Sequence, residues 1–311
     1  MRHRLEAGPT VVIALLVIID MLLVGLAWHH GRGQDPSQVV TIQPASSQHT
    51  THSTSSSPKP TRTSTAPPAS PPVKNAAPLV STVDGTTATL ANYGCKGSPD
   101  LRTTIDGGAT TAALTAPAPH ILRVVQTDAL NIWVIGADGK CHPTYYSTTD
   151  GGQTWSAAGS LGQVWISLPT GVHTPRGKLS KPCGTKPAGQ IALSPSGSAD
   201  AFVVCSDSLR RTSNGGKSWR TVTGLPSGQI VNASLATGGT AVAALKGASG
   251  CSGLLLVATA NAGGHWSAGQ CLKDLKPSAV VAITDAGTGL ASSSGVSYIT
   301  SDAGRSWSAA A

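Results

Sequence analysis

Hydrophobic and polar positions fall into three regimes along this chain. From Thr10 to Trp28 the residues are almost all apolar, with Asp20 as the interruption. From about Asp35 to Pro78, Ser, Thr and Pro dominate and no periodicity appears. Such a stretch has too little apolar surface to form a core and is expected to be an extended, disordered linker. Beyond Pro78, short runs alternate between apolar and polar residues: HILRVVQ and NIWVIG, GQIALSP and DAFVVCS, IVNASLA and TAVAALK, AVVAITD and GLASSS. A period of two predicts half-buried strands. Each pair is followed by two more strand-like runs around a turn, such as YYST and WSAAG or VSYIT and WSAAA. Four strands per period of roughly forty-five residues is the pattern of a propeller blade.

The turn between the third and fourth strand is the repeated element. It reads TTDGGQTW (148–155), TSNGGKSW (212–219), TANAGGHW (259–266) and TSDAGRSW (300–307), with a fifth copy, TIDGGATT (104–111), that lacks the Trp. The shared pattern is Ser/Thr-x-Asp/Asn-x-Gly-x-Thr/Ser-Trp, with His265 and Thr111 as departures. Asp106, Asp150, Asn214, Asn261 and Asp302 fold their side chains onto the backbone of the turn. Glycine supplies backbone angles closed to other residues, and Trp155, Trp219, Trp266 and Trp307 lay large rings over a neighbour. Five copies predict an all-β propeller of five four-stranded blades over residues 78–311.

These repeats resemble the Asp-box, or BNR, repeats of sialidases, sortilin-type receptors and photosystem II assembly factors. The resemblance implies the fold and leaves function open, because in those families the box is a structural turn. The anchor-like start, the spacer and the Ala/Gly-rich composition together are similar in style to actinobacterial surface proteins. The sialidase resemblance further implies three arginines, a Tyr nucleophile, a partner Glu and an Asp acid/base. The only glutamate is Glu6, so Tyr93, Tyr145, Tyr146 and Tyr298 have no such partner. A pair of aspartates could serve glycoside hydrolysis instead. The candidates Asp84, Asp100, Asp128, Asp138, Asp200, Asp207, Asp274 and Asp285 mostly sit beside Gly, Ser or Asn, where acids cap turns. No GxSxG elbow is present, His120, His142, His173 and His265 are scattered, and no metal site or cofactor is expected. The balance favours a binding or scaffold module, with a glycan-active hydrolase or lyase as the alternative.

The apolar run sets the expected location. Arg2 and Arg4 precede it, so residues 1–9 are expected to stay cytoplasmic, 10–28 to span the membrane as a signal-anchor helix, and 29–77 to space the propeller from it. A signal peptide cleaved after Ala27 is the alternative, which would leave the protein secreted. Export agrees with an even number of cysteines beyond the linker. Cys251 and Cys271 flank a predicted hairpin and are expected to pair. Cys183 with Cys205 and Cys95 with Cys141 follow by elimination, a connectivity that spacing alone leaves open.

Charge narrows the partner. The chain carries a net charge of +8, which suits a protein or anionic envelope polymer, and no nucleic-acid motif is present. The repeat centres are spaced 44, 64, 47 and 41 residues apart. The long interval places an insertion near Leu161–Pro187, expected to be a loop on the face opposite the repeat turns. Its residues His173, Arg176, Lys178, Lys181 and Lys186, with Trp165 beside them, are the candidate binding site. Lys96, Lys140 and His142 are expected on the same face, as are Lys246, Lys273 and Lys276.

Overall fold

A short-stranded sheet with two apolar faces can bury both only against other sheets. The structure, a computed structural model, describes residues 77–158, 161–184, 192–206, 208–293 and 295–310. Six antiparallel sheets are present. Blade 1 is β1 (Ala77–Thr82), β2 (Ala88–Tyr93), β3 (Leu101–Thr104) and β4 (Ala112–Ala113). Blade 2 is β5 (His120–Gln126), β6 (Ile132–Ala137), β7 (Pro143–Thr148) and β8 (Ser156–Ala158). Blade 3 has three strands, β9 (Ile166–Leu168), β10 (Gly171–His173) and β11 (Leu179–Ser180). Blade 4 is β12 (Ala192–Ser196), β13 (Asp200–Val204), β14 (Leu209–Thr212) and β15 (Arg220–Thr221). Blade 5 is β16 (Gln229–Leu235), β17 (Ala241–Lys246), β18 (Leu254–Thr259) and β19 (Gln270–Leu272). Blade 6 is β20 (Val280–Ile283), β21 (Gly289–Ser293), β22 (Val296–Thr300) and β23 (Ser308–Ala309). The first strands pack in sequence, β1 on β5, β5 on β9, β9 on β12, β12 on β16 and β16 on β20, and β20 returns to β1. The ring is closed.

The expected five blades are therefore six. The stretch read as an insertion loop is itself blade 3. Its strands are two or three residues long, too short to show an alternation. Among the described residues no helix is long and apolar enough to cross a membrane. The run over 10–28 and the tract over 29–76 lie outside the described residues.

Alternation along each strand feeds two seams at once. In β17, Ala243 and Leu245 join Phe202, Val204 and Leu209 of blade 4. Val242 and Ala244 join Val281, Ile283 and Ala291 of blade 6. Hydroxyls tie the innermost strands across blades: Ser81 Oγ accepts from Gln126 N (2.9 Å), Ser194 Oγ from Leu235 N (2.8 Å) and Ser234 Oγ from Ile283 N (3.0 Å).

The five repeat turns share one hydrogen-bond set. The first Thr of each, buried at 104, 148, 212, 259 and 300, donates to the Asp or Asn two residues on at 2.6–3.0 Å. The same hydroxyl accepts from the second glycine position at 2.9–3.2 Å. The Asp or Asn oxygen accepts the amide four residues on at 2.9–3.0 Å. A further backbone bond of 2.6–2.9 Å stitches each turn to the first hairpin of its own blade, as from Gly107 to Thr86 and from Ala303 to Gly287.

Two positions of the turn reach the preceding blade. A Cβ on the second glycine would strike Ser297 at Gly108, Leu114 at Gly152, Thr174 at Gly216, Val222 at Gly263 and Val242 at Gly304. The tryptophans point the same way: Trp155 packs with Leu101 and Leu114, Trp219 with Trp165, Trp266 with Phe202 and Trp307 with Val242. Thr111, the departure in blade 1, leaves the seam from blade 6 to blade 1 without such a ring. Close approaches fill that seam instead, with Gly85 against Gly289, Gly108 against Ser297 and Ser292, and Gly107 against Ile299 and Ala310.

Three disulfides are formed, Cys95–Cys141, Cys183–Cys205 and Cys251–Cys271. The first joins blade 1 to blade 2, the second blade 3 to blade 4, and the third closes within blade 5.

The repeat-turn carboxylates predict an acid dependence. The Thr110 hydroxyl and amide hold Asp106 at about 2, and the Ser306 hydroxyl and amide hold Asp302 at about 2. The Thr148 and Thr154 hydroxyls push Asp150 lower still. Each pKa is depressed in the folded state, so the stabilisation is complete above the unfolded value of about 3.9 and is lost as pH falls through the folded one. Asn214 and Asn261 do the same work without a charge. The triple variant Asp106→Asn, Asp150→Asn, Asp302→Asn is thus expected to lose less stability than wild type between about pH 4 and pH 2. Urea midpoints across that range give the slope, and an unchanged slope contradicts the assignment.

Candidate functional site

Blade 3 decides where the basic residues go. Trp165, just before β9, donates from Nε1 to Gly197 O at 2.8 Å, in the first hairpin of blade 4 and so on the repeat-turn face. At the other end of β9, Leu168 clusters with Cys95 and Cys141, which belong to second-to-third-strand loops on the opposite face. So β9 runs opposite to the innermost strands beside it. The β10–β11 turn, residues 174–178, then falls on the repeat-turn face. There a Cβ on Gly215 would meet Arg176 Nε at 2.7 Å. Thr174 occupies the place of the repeat threonine: it is buried, but Arg176 stands two residues on, where the other blades have Asp or Asn. Among the described residues its hydroxyl has no hydrogen-bond partner.

The expected site residues therefore divide. Arg176 and Lys178 are exposed on the repeat-turn face. His173 ends β10, with Nδ1 3.4 Å from Val164 O. Lys181 follows β11 toward Cys183, and Lys186 lies outside the described residues. Lys96, Lys140 and His142 sit on the opposite face in the loops that Cys95–Cys141 joins. His142 Nδ1 is 3.0 Å from Asp138 Oδ2, and Asp138 also accepts from the backbone of Lys140 and His142. Trp165, expected at the rim of a loop, is 1% exposed. It meets Trp219 edge-on at 6.0 Å between centroids, a core role rather than a platform for a ligand.

Charge is unevenly divided among the blades, a feature that no motif marks. Residues 159–228, which span blades 3 and 4, hold 8 Lys+Arg and 2 Asp, while the rest of 77–310 holds 8 Lys+Arg and 9 Asp. The whole positive excess of the propeller belongs to these two blades. Arg210, Arg211, Lys217 and Arg220 join Arg176 and Lys178 there. Arg211 and Arg220 are cross-strand neighbours, and Arg211 is partly neutralised by Asp200 at 3.2 Å. Lys217 lies two residues from Gly215, against which Arg176 rests. The signal available in the sequence was this uneven charge count, not a motif.

Asp207 lies outside the described residues, and the other candidate aspartates are held by hydrogen bonds or ion pairs. Asp84 accepts from Thr86 and Thr87, Asp128 from Leu130 and Asn131, and Asp285 from Thr237 N at 2.6 Å. Asp100 pairs with Arg102 at 2.7 Å. Burial opposes ionisation of Asp84, yet its turn hydrogen bonds still leave its pKa lowered. Backbone amides likewise lower Asp128 and Asp138. A general acid for glycoside hydrolysis needs a raised value. Among the described residues no cluster of His, Cys, Asp and Glu could hold a metal ion.

No protein-family model matches the chain, and no curated protein matches it. Among solved structures it is similar to YCF48 bound to a D1 peptide, at 17% identity over 75% of this chain and 80% of that one, with a TM-score of 0.29. It is similar to YCF48 from Cyanidioschyzon merolae at 17% identity, over 75% and 85% of the two chains, with a TM-score of 0.26. Apo AztD from Citrobacter koseri matches at 13% identity over 74% and 71%, with a TM-score of 0.37. Similarity at this level carries no inference about function.

Proposed function

We propose that this protein is a binding module that docks an anionic protein or envelope polymer through blades 3 and 4. The observation that carries the reading is the confinement of the positive excess to those blades, with Arg176, Lys178, Lys217 and Arg220 all exposed. Uneven charge of one sign speeds encounter with an oppositely charged partner and orients it. Three disulfides support a place of action outside the cytoplasm, where such bonds persist. The repeats are read as Asp boxes, supported by the hydrogen-bond set common to all five turns. In that reading they build the ring, and the variable blade 3 carries the recognition. The hydrolase reading loses support, since the described candidate aspartates serve as hydrogen-bond acceptors and ion-pair partners.

The quadruple variant Arg176→Glu, Lys178→Glu, Lys217→Glu, Arg220→Glu tests the reading with poly-L-glutamate as the probe. Wild type is expected to bind at low salt and to release as ionic strength shortens the screening length to about 8 Å. The variant is expected to bind at least about tenfold more weakly, roughly 1.4 kcal/mol, with its urea midpoint kept, because exposed charges add little stability. Equal binding by wild type and variant at low salt overturns the proposal.

A further inference from the structure

On the opposite face, between the upper loops of blade 5 and the crossover to blade 6, lies a pocket of about 440 Å³. Gln229, Lys246, Ser252, Lys273, Leu275 and Lys276 line it, together with Gly247 and Gly253. No carboxylate lines it. Asp274, between two of the lysines, is engaged by the Tyr298 hydroxyl at 3.3 Å.

From this geometry we propose that the pocket binds a phosphate ester of a sugar or polyol. Three lysines, with no carboxylate in the lining, create a site of positive potential. Lysine presents a compact charge with three donors, which suits a tetrahedral oxyanion approached from several sides. A planar carboxylate is matched better by the fork of arginine. A bare phosphate would leave most of the volume empty, and the pocket is of the size that holds small organic ligands, about 300–1,000 Å³. The Ser252 hydroxyl and Gln229 amide can pair with hydroxyls of the carrier, and Pro277 can cover its carbon skeleton.

The walls are preorganised. Lys246 is held in β17 in register with Gln229 and Leu254. Cys251–Cys271 clamps the loop that carries Ser252 to the strand before Lys273. Gly253 lets that loop lie against the backbone of Leu272 and Lys273, where a Cβ would have no room. Leu272 and Leu275 are buried, and the Lys276 amide donates to Ser293 Oγ at 3.0 Å. A cationic loop at the surface would lack these supports.

Isothermal titration of the full chain tests the site. The probes are glucose 1-phosphate, glycerophosphoglycerol, inorganic phosphate, glucuronate and glucose. Saturable binding of at least one ester is expected, at least tenfold tighter than inorganic phosphate or glucuronate, with none for glucose. A tighter monoester identifies a soluble sugar phosphate as the source, and a tighter diester the repeat unit of a polymer. The variant Lys246→Gln, Lys273→Gln, Lys276→Gln, checked for an unchanged urea midpoint, is expected to lose at least tenfold in affinity. The charge-reversed variant of blades 3 and 4 is expected to bind the ester as wild type does, so each proposal can fail alone. No binding of either ester, glucuronate binding equal to the esters, or unchanged affinity in the triple Lys variant overturns the site.

Discussion

Replacing Trp165 with alanine is expected to destabilise the propeller by about 3–5 kcal/mol, at the level of the largest core truncations. The side chain is fully buried, its indole N–H donates to Gly197 O of blade 4, and its ring meets Trp219 edge-on. Its own carbonyl accepts from Arg123 of blade 2 at 2.9 Å. One residue thus ties the small third blade to both neighbours. The strands of blade 3 are two or three residues long, and its other ties are buried Ile166 and Val172, the Ser180 hydroxyl and Cys183–Cys205. The loss has three sources: apolar area, the indole hydrogen bond, and an aromatic pair worth about 0.5–1.5 kcal/mol beyond its area. Urea denaturation gives the difference. A cost under about 1 kcal/mol would mean that blade 3 is held by its disulfide and not by this ring.

Gly304→Val is expected to cost about 3 kcal/mol or more, from two separable sources. The residue has φ +81°, in the left-handed region that opposes a β-branched side chain. Its Cβ would also sit 2.5 Å from Val242 Cγ2 of blade 5. Gly224 supplies the control, with φ +77° and open space where a Cβ would go. Gly224→Val therefore reports backbone strain alone, about 1–2 kcal/mol, and the excess at Gly304 reports crowding between blades. Equal costs at the two positions would show that the repeat glycine is kept for the turn and not for the seam.

The parts of this fold that could be read in advance are those with a period. Alternating runs marked the strands of blades 2, 4, 5 and 6, and the five turns placed Asp106, Asp150, Asn214, Asn261 and Asp302 at third-to-fourth-strand hairpins, where the structure has them. Cys251 and Cys271 paired as their symmetry about a hairpin implied. Blade 3 was not legible. Gly171–His173 and Leu179–Ser180 are too short to alternate, and Thr174 lost its Asp to Arg176. Without a recognised blade there was no reason to expect a reversed β9. Arg176 and Lys178 consequently lie on the face opposite to the one expected, and Trp165, expected beside a loop, is buried. The basic blades 3 and 4 carry a different kind of signal: Arg210, Arg211, Lys217 and Arg220 share no spacing, and only their count against the few acids of the segment sets them apart.

The seam from blade 6 to blade 1 gives this ring a mechanical asymmetry. Each other copy of the repeat sets a tryptophan against the blade before it, and no disulfide crosses this join. Gly85 and Gly289, Gly108 and Ser297, and Gly107 and Ile299 come close enough to shut the circle. Closing it also means bringing together the two most distant blades of the described chain, so this contact suffers the largest loop-closure entropy. A ring built this way resembles a clasped bracelet: five joins follow the chain from blade to blade, and the sixth is the clasp that brings its two ends together.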